Sequence, residues 1–260
     1  MDRSHKDEYR NKQIDYAAPL SDAEIADNKH RRRVGGQWAV MGPLQRDFLV
    51  AQGLRPGHRL LDVGCGVLRA GIHLVEYLEP AHYYGIDINQ SLIDVGYERE
   101  LPQLLRDKLP REHLRATDRF DCDFGVRFDY AIANSVFTHI SLSHVRLCLY
   151  RVGRQLAPGG RFYASYFHAP FGHPLDESLN DGRRWAERNA FFNYGGDLVW
   201  AARCADLRVR FIGPWGHPGG QRMAEFTHRR VRPRALAERA RRQLSPRLKR
   251  PIRRALGDRI

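Results

Sequence analysis

Between Trp38 and Gln52 the apolar residues Val40, Met41, Leu44, Phe48 and Leu49 recur at spacings of three and four, which predicts an amphipathic helix closed by Gly53. Short apolar runs then alternate with helical patterns. Strands are predicted at 59–63, 83–87, 119–124, 128–133, 161–167, 207–212 and 223–227, and helices at 70–78, 91–105, 143–156 and 198–205. Strands separated by helices of this length imply a mostly parallel sheet covered on both faces. The last two strands are joined by Gly213 to Gly220, too short for a crossover helix, so they form an antiparallel pair. The predicted fold is α/β, a Rossmann-like seven-stranded sheet with an antiparallel last strand.

The first 34 residues are polar and carry one helix start, Ser21-Asp22-Ala23-Glu24, in which a Ser N-cap and a Glu three residues later satisfy each other's amides. That helix is expected to end near the basic run Lys29 to Arg33. These patterns divide the chain into an N-terminal helical extension (1–45), a central domain (46–228) interrupted by an insertion at 168–196, and a tail (229–260). The tail holds thirteen Arg or Lys against Glu238 and Asp258, so it carries +11 of the net charge of +13. The body is nearly neutral, and the basic pI describes an appendage.

No apolar run is long enough to span a bilayer, and the opening MDRSHKDEYRNK lacks the apolar core of an export signal. Cys65, Cys122, Cys148 and Cys204 match neither a zinc knuckle nor a disulfide framework, and read as reduced thiols in the cytoplasm.

Ligands of open α/β sheets bind at the carboxyl ends of the strands, where the first strand runs into Asp62-Val63-Gly64-Cys65-Gly66-Val67-Leu68-Arg69. No Gly-Lys-Ser/Thr follows, which excludes a Walker loop, and Arg69 stands where a dinucleotide fingerprint needs its third glycine. Asp62 would oppose a diphosphate but favour a ligand bearing an ammonium and a sulfonium, so the loop suits S-adenosyl-L-methionine better than NAD. Asp87 ends the second strand 21 residues beyond Gly66, where it can accept both ribose hydroxyls. Taken singly, the glycine pattern is only a tight turn and Asp87 only a helix N-cap; the strand order around them favours the ligand.

With LLDVGCG (60–66), YYGIDIN (83–89), FDYAIANSVFTHI (128–140) and LAPGGRFYASYF (156–167), the chain resembles a class I S-adenosylmethionine-dependent methyltransferase over residues 35–228. It is also similar to a bacterial subgroup in which GGQWAVMGPLQ precedes the core and GPWGHPGGQRM links the last strands. Leu68 departs from the many members with another glycine there. The resemblance implies that Gly64 and Gly66 admit the methionine end of the cofactor and that Asp62 orients it. Asp87 would then hold the ribose, Ile88 lie against the adenine, and Asn134 offer its backbone carbonyl to the ammonium. A residue ending strand three should meet the adenine; Asp123 with Phe124 is the choice and Asp121 the rival. Arg69 can reach the cofactor carboxylate or remain a solvated first-turn arginine.

Methyl transfer to a hydroxyl requires collinear positioning and a proton acceptor. His139, after strand four, is the candidate catalytic base, against the plainer reading of a helix cap; His168 and His217 are weaker candidates. The pairs His139/His144 and His168/His173 are five apart, the wrong phase for chelation on one helix face, so no metal is expected. The insertion is rich in aromatic rings and carries Asp176, Glu177, Asn180 and Asn193, which suits a lid over sugar rings or equally a small satellite core.

The expected function is O-methylation of a glycan, lipid-linked sugar or small metabolite. The alternatives are a small-molecule N-methyltransferase, or a non-catalytic binding protein whose basic tail takes nucleic acid. In the tail, Leu236, Ala240, Leu244, Leu248, Ile252, Leu256 and Ile260 recur every four residues among arginines. Segment 233–260 can therefore lie peripherally on an anionic membrane at the inner face, with nucleic acid the rival partner.

Overall fold

The computed structural model describes residues 15–169 and 191–229, with the backbone alone of 178–179 and 184–185. Eight strands form one sheet: β1 (Leu60–Val63), β2 (Tyr83–Asp87), β3 (Leu114–Ala116), β4 (Phe128–Ala133), β5 (Leu156–His168), β6 (Phe192–Asn193), β7 (Leu207–Pro214) and β8 (Arg222–His228). Their order is β3-β2-β1-β4-β5-β8-β7, with β6 paired to the end of β5. Strands β1 to β5 are parallel, and β8 runs antiparallel to both neighbours. Every residue of β1 is buried, as a central parallel strand requires, and Asp62 pairs with Gly85 on one side and Ile132 on the other.

Alternate side chains of the sheet feed two cores. On one face Phe128, Phe162 and Phe226 pack with helices α7 (Leu142–Gln155) and α8 (Gly195–Cys204). On the other, Leu60, Tyr83, Ile132 and Tyr163 pack with α3 (Trp38–Ala51) and α4 (Gly71–Tyr77). Contacts divide the chain after His228, with the basic segment from Arg229 onward a separate unit. Among the described residues no helix is long and apolar enough to cross a membrane.

The third strand lies at 114–116, not at 119–124. Phe120, Cys122 and Phe124 do alternate and do pack on the first core, but from a loop. Thr117 Oγ1 accepts from the amides of Arg119 and Asp121 at 3.2 Å each, and Phe120 adopts a left-handed φ of 55°, so this backbone has no ladder to join. The helix expected over 91–105 is broken. α5 (Gln90–Val95) passes into a π-turn at Gly96–Glu100, and Pro102, which cannot continue a helix, precedes α6 (Gln103–Arg106). The N-terminal helix also divides, into α1 (Asp22–Ala26), with the expected Ser21/Glu24 capping box, and α2 (Lys29–Arg33), across a left-handed Asn28. Strand β5 starts at Leu156, so Pro158 to Gly160 lie within it as an irregularity in its pairing with β4.

Candidate functional site

The carboxyl ends of β1, β2 and β4 converge on the glycine loop. Gly64 and Gly66 take φ of 76° and 52°, and the loop is tightly covered: a Cβ on Gly64 would lie 2.5 Å from Val136 Cγ2, and one on Gly66 2.9 Å from Val34 Cγ1. Leu68, the departure from glycine, holds a left-handed φ of 60° all the same, fixed by complete burial of its side chain. The amides of Gly64 and Cys65 donate to the Ile86 carbonyl at 2.7 and 3.1 Å, fastening the loop to β2.

Asp87 completes that fastening. Its Oδ2 accepts from the Gly66 amide and its Oδ1 from the Asn89 amide, both at 2.9 Å. Burial raises its carboxyl, while the amides of Asn89, Gly66 and Ile88 favour the ionised form. Each oxygen retains a lone pair for a further donor, which is what two vicinal hydroxyls need. Ile88, next in the chain, is 46% exposed, an apolar platform at a strand end where burial would be the rule. Asp62 is buried one residue before the end of β1 and accepts from Tyr83 Oη at 2.8 Å; desolvation pushes its carboxyl up to about 6. A buried carboxylate, a second one with spare lone pairs and an exposed apolar platform around a glycine turn fit a nucleoside carrying a cationic arm.

Arg69 is engaged elsewhere. Its Nη1 donates to the carbonyls of Val34 and Gly36 at 2.8 and 2.7 Å, so it ties the N-terminal extension over the glycine loop. Other bonds hold the same strap. Arg31 makes paired bonds and His30 a 2.6 Å contact to Glu100, and Asn89 Nδ2 donates to the carbonyls of Tyr16 and Ala18. Burial alone would raise the Glu100 carboxyl, but hydrogen bonds from Arg31 and His30 hold it below its ordinary value.

From this strap Tyr16 reaches His139. Its Oη lies 3.2 Å from Nδ1 and 3.4 Å from Nε2, with ring centroids 4.8 Å apart. The tyrosine therefore bridges the end of β2, through Asn89, and the turn after β4. Nothing in the polar opening of the sequence singled it out.

Asn134 follows β4, and Ser165 Oγ lies 3.3 Å from its Oδ1. Asp123 and Phe124 are not brought to the cleft by a strand end. Asp123 caps the Gly125 amide, and Phe124 packs on Tyr84 and Phe128 beneath Arg115. The residues that follow β3 are Thr117, whose amide donates to the Asp87 carbonyl at 2.7 Å, and Asp118. Asp121 also lies in the loop, in an ion pair with Arg115. His217, in the last hairpin, has its Nδ1 occupied by the Gly219 amide at 2.9 Å, and His168 is shifted down by burial. Phe171, His173, Asp176, Glu177 and Asn180, the Trp185 side chain and the tail segment 233–260 fall outside the described residues. No group of three or more His, Cys, Asp or Glu able to hold a metal is present among the described residues.

A sheet of this order, with an antiparallel edge hairpin and a glycine turn facing an acidic residue at the end of β2, has the class I S-adenosylmethionine-dependent methyltransferase fold. Residues 61–162 match the family model described as a methyltransferase domain. Among known proteins it is similar to the demethylmenaquinone methyltransferase of Symbiobacterium thermophilum, 29% identical over 158 residues, which are 57% of each protein. The chain spans little more than half the length, or less, of the curated relatives it matches. In fold it is similar to the sugar N-methyltransferase KedS8 from Streptoalloteichus (TM-score 0.56, 18% identity, 84% of this chain and 98% of that one). It is also similar to the magnesium protoporphyrin IX methyltransferase of Synechocystis with bound SAH (TM-score 0.54, 19% identity, 87% and 95%).

Proposed function

We propose that this protein transfers the methyl group of S-adenosyl-L-methionine to a hydroxyl of a glycan, lipid-linked sugar or small metabolite. The observation that carries the reading is the Asp87 carboxylate bonded to the Gly66 amide, which fuses the ribose-binding acid to the glycine turn at 2.9 Å. In this reading Asp87 takes the ribose hydroxyls, Ile88 lies against the adenine, Gly64 and Gly66 admit the chain of the methionine, and Asp62 and the Asn134 carbonyl face its ammonium. Thr117 and Asp118 replace Asp123 and Phe124 at the adenine edge, and Arg69 secures the strap in place of the cofactor carboxylate. The cofactor supplies an electrophilic methyl on a sulfonium. His139 removes the proton of the acceptor hydroxyl, and Tyr16 orients its imidazole and excludes water.

Methylation of an amine on a sugar is the second reading, supported by the fold shared with a sugar N-methyltransferase. Tritiated-methyl transfer to panels of hydroxyl and amine acceptors separates the two. A wild-type protein that binds no S-adenosylhomocysteine ends both. The tail, 233–260, is proposed from its sequence to touch anionic membranes. Co-sedimentation with vesicles of anionic lipid, lost on removing 233–260 and weakened by salt, is the expected result; binding to nucleic acid and not to lipid would reassign it.

A further inference from the structure

Ser135 is the one non-glycine residue in the turn after β4 with a left-handed φ, 59°, a conformation that costs a side-chain-bearing residue energy unless its surroundings impose it. Here they do. Its amide donates to Ser165 Oγ at 2.7 Å, and Ser165 is fully buried on β5. With that oxygen accepting from Ser135, the single Ser165 hydrogen needs an acceptor, and Gln221 Oε1 at 2.6 Å is closer than Asn134 Oδ1 at 3.3 Å. Gln221, buried at the head of β8, in turn donates through Nε2 to Ser135 Oγ at 3.0 Å.

This chain of bonds has a directional consequence. In a planar trans peptide the carbonyl points opposite to the amide hydrogen of the same unit. The Ser135 amide points towards β5, so the Asn134 carbonyl points away from β5, towards β1. Extending the register Asp62↔Ile132 by two residues sets Gly64 across from Asn134, and Val136 lies directly on Gly64. The carbonyl is therefore aimed at the glycine loop.

We propose that Ser165 and Gln221 are positioning residues for the cofactor's ammonium: they hold Ser135 in its left-handed state and so direct the Asn134 carbonyl into the cleft. This rests on the cofactor reading above and adds to it a dependence of binding on the last hairpin, a region remote in sequence from the glycine loop.

Calorimetry with two probes tests it: S-adenosylhomocysteine, and its deamino analogue in which hydrogen replaces the ammonium. Ser165→Ala is expected to weaken S-adenosylhomocysteine about tenfold or more, the scale of a hydrogen bond to a charged group, and to change the analogue less than about twofold. Gln221→Leu should act in the same direction and less strongly, because the Ser165 hydroxyl can turn to Asn134. Ser135→Gly, which adopts the turn without strain, should keep S-adenosylhomocysteine affinity within about threefold, whereas Ser135→Val should lose it. Equal weakening of both probes in Ser165→Ala, or no weakening of either, overturns the proposal while leaving the cofactor reading intact. A wild-type protein that binds neither probe removes the cofactor reading and this inference with it.

Discussion

The turn after β1 and the turn after β4 meet where Val136 covers Gly64, and both pass through the left-handed region, by different means. The first does so largely with glycine, at 64 and 66, so its shape is set by residue type. The second does so with serine, and its shape is held by hydrogen bonds with Ser165 on β5 and with Gln221, just before β8, side chains that follow later in the chain. A turn built on glycine lets neighbouring side chains approach its backbone closely, as Val136 does at Gly64 and Val34 at Gly66. A turn held by one remote hydroxyl and one remote amide ties the ligand site to the packing of later elements.

The largest difference between the two turns should be functional. His139→Ala, beyond the β4 turn, is expected to lower turnover about 10²- to 10⁴-fold with cofactor affinity nearly unchanged, measured by kinetics and calorimetry on the same preparation. Retention of activity would withdraw the base role and leave the proton to another group. In the β1 turn the effect should fall on folding and cofactor binding together. Gly64→Ala forces a side chain into a φ of 76° and against Val136, a cost of about 2–4 kcal/mol from strain and overpacking in chemical denaturation. Pairing it with Val136→Ala should recover the overpacking part and not the strain; full additivity of the two changes would mean that the turns do not press on one another.

A smaller effect concerns pH. Folding raises the Asp62 carboxyl from 3.8 to about 6, chiefly by desolvation, so its protonated form is the one the folded state prefers. That contribution to stability is complete below about pH 4 and is lost as pH rises through 6. Asp62→Asn should therefore stabilise the protein at pH 8, by at most about 3 kcal/mol, and scarcely at pH 4. Cofactor binding should run the other way: S-adenosylhomocysteine affinity is expected to fall as the wild-type protein is acidified through pH 6, and this dependence should flatten in Asp62→Asn. A melting series and a titration series across that range check both signs.

The same contrast explains what the sequence made legible. Residue type announced the β1 turn: Gly64 and Gly66 stand at the strand end, with Gly66 bonded to Asp87 of the next strand and Asp62, before them, bonded to Tyr83. The β4 turn depended on Ser165 and Gln221, which from sequence are an ordinary strand serine and a loop glutamine; only register brings them to Ser135. Tyr16 was hidden for the same reason, since a polar N-terminal segment gives no sign of lying over His139. The misplaced third strand has a separate cause. Leu114-Arg115-Ala116 is too short to display alternation, while Phe120, Cys122 and Phe124 alternate because a loop, turned by Thr117, inserts them into the core. Alternation reports burial on one side, and ladder pairing is an additional condition that it does not supply.

The most direct test of the account is titration of S-adenosylhomocysteine into the wild-type chain and into Asp87→Ala, with circular dichroism on both to establish folding. One site per chain is expected in the wild type. In the variant an affinity loss of about 10²-fold or more is expected, because two charge-assisted hydrogen bonds to the ribose, at about 1.5–3 kcal/mol each, are removed. A folded wild type that binds no S-adenosylhomocysteine, or a folded variant that binds it equally well, would contradict the assignment of this cleft to the cofactor.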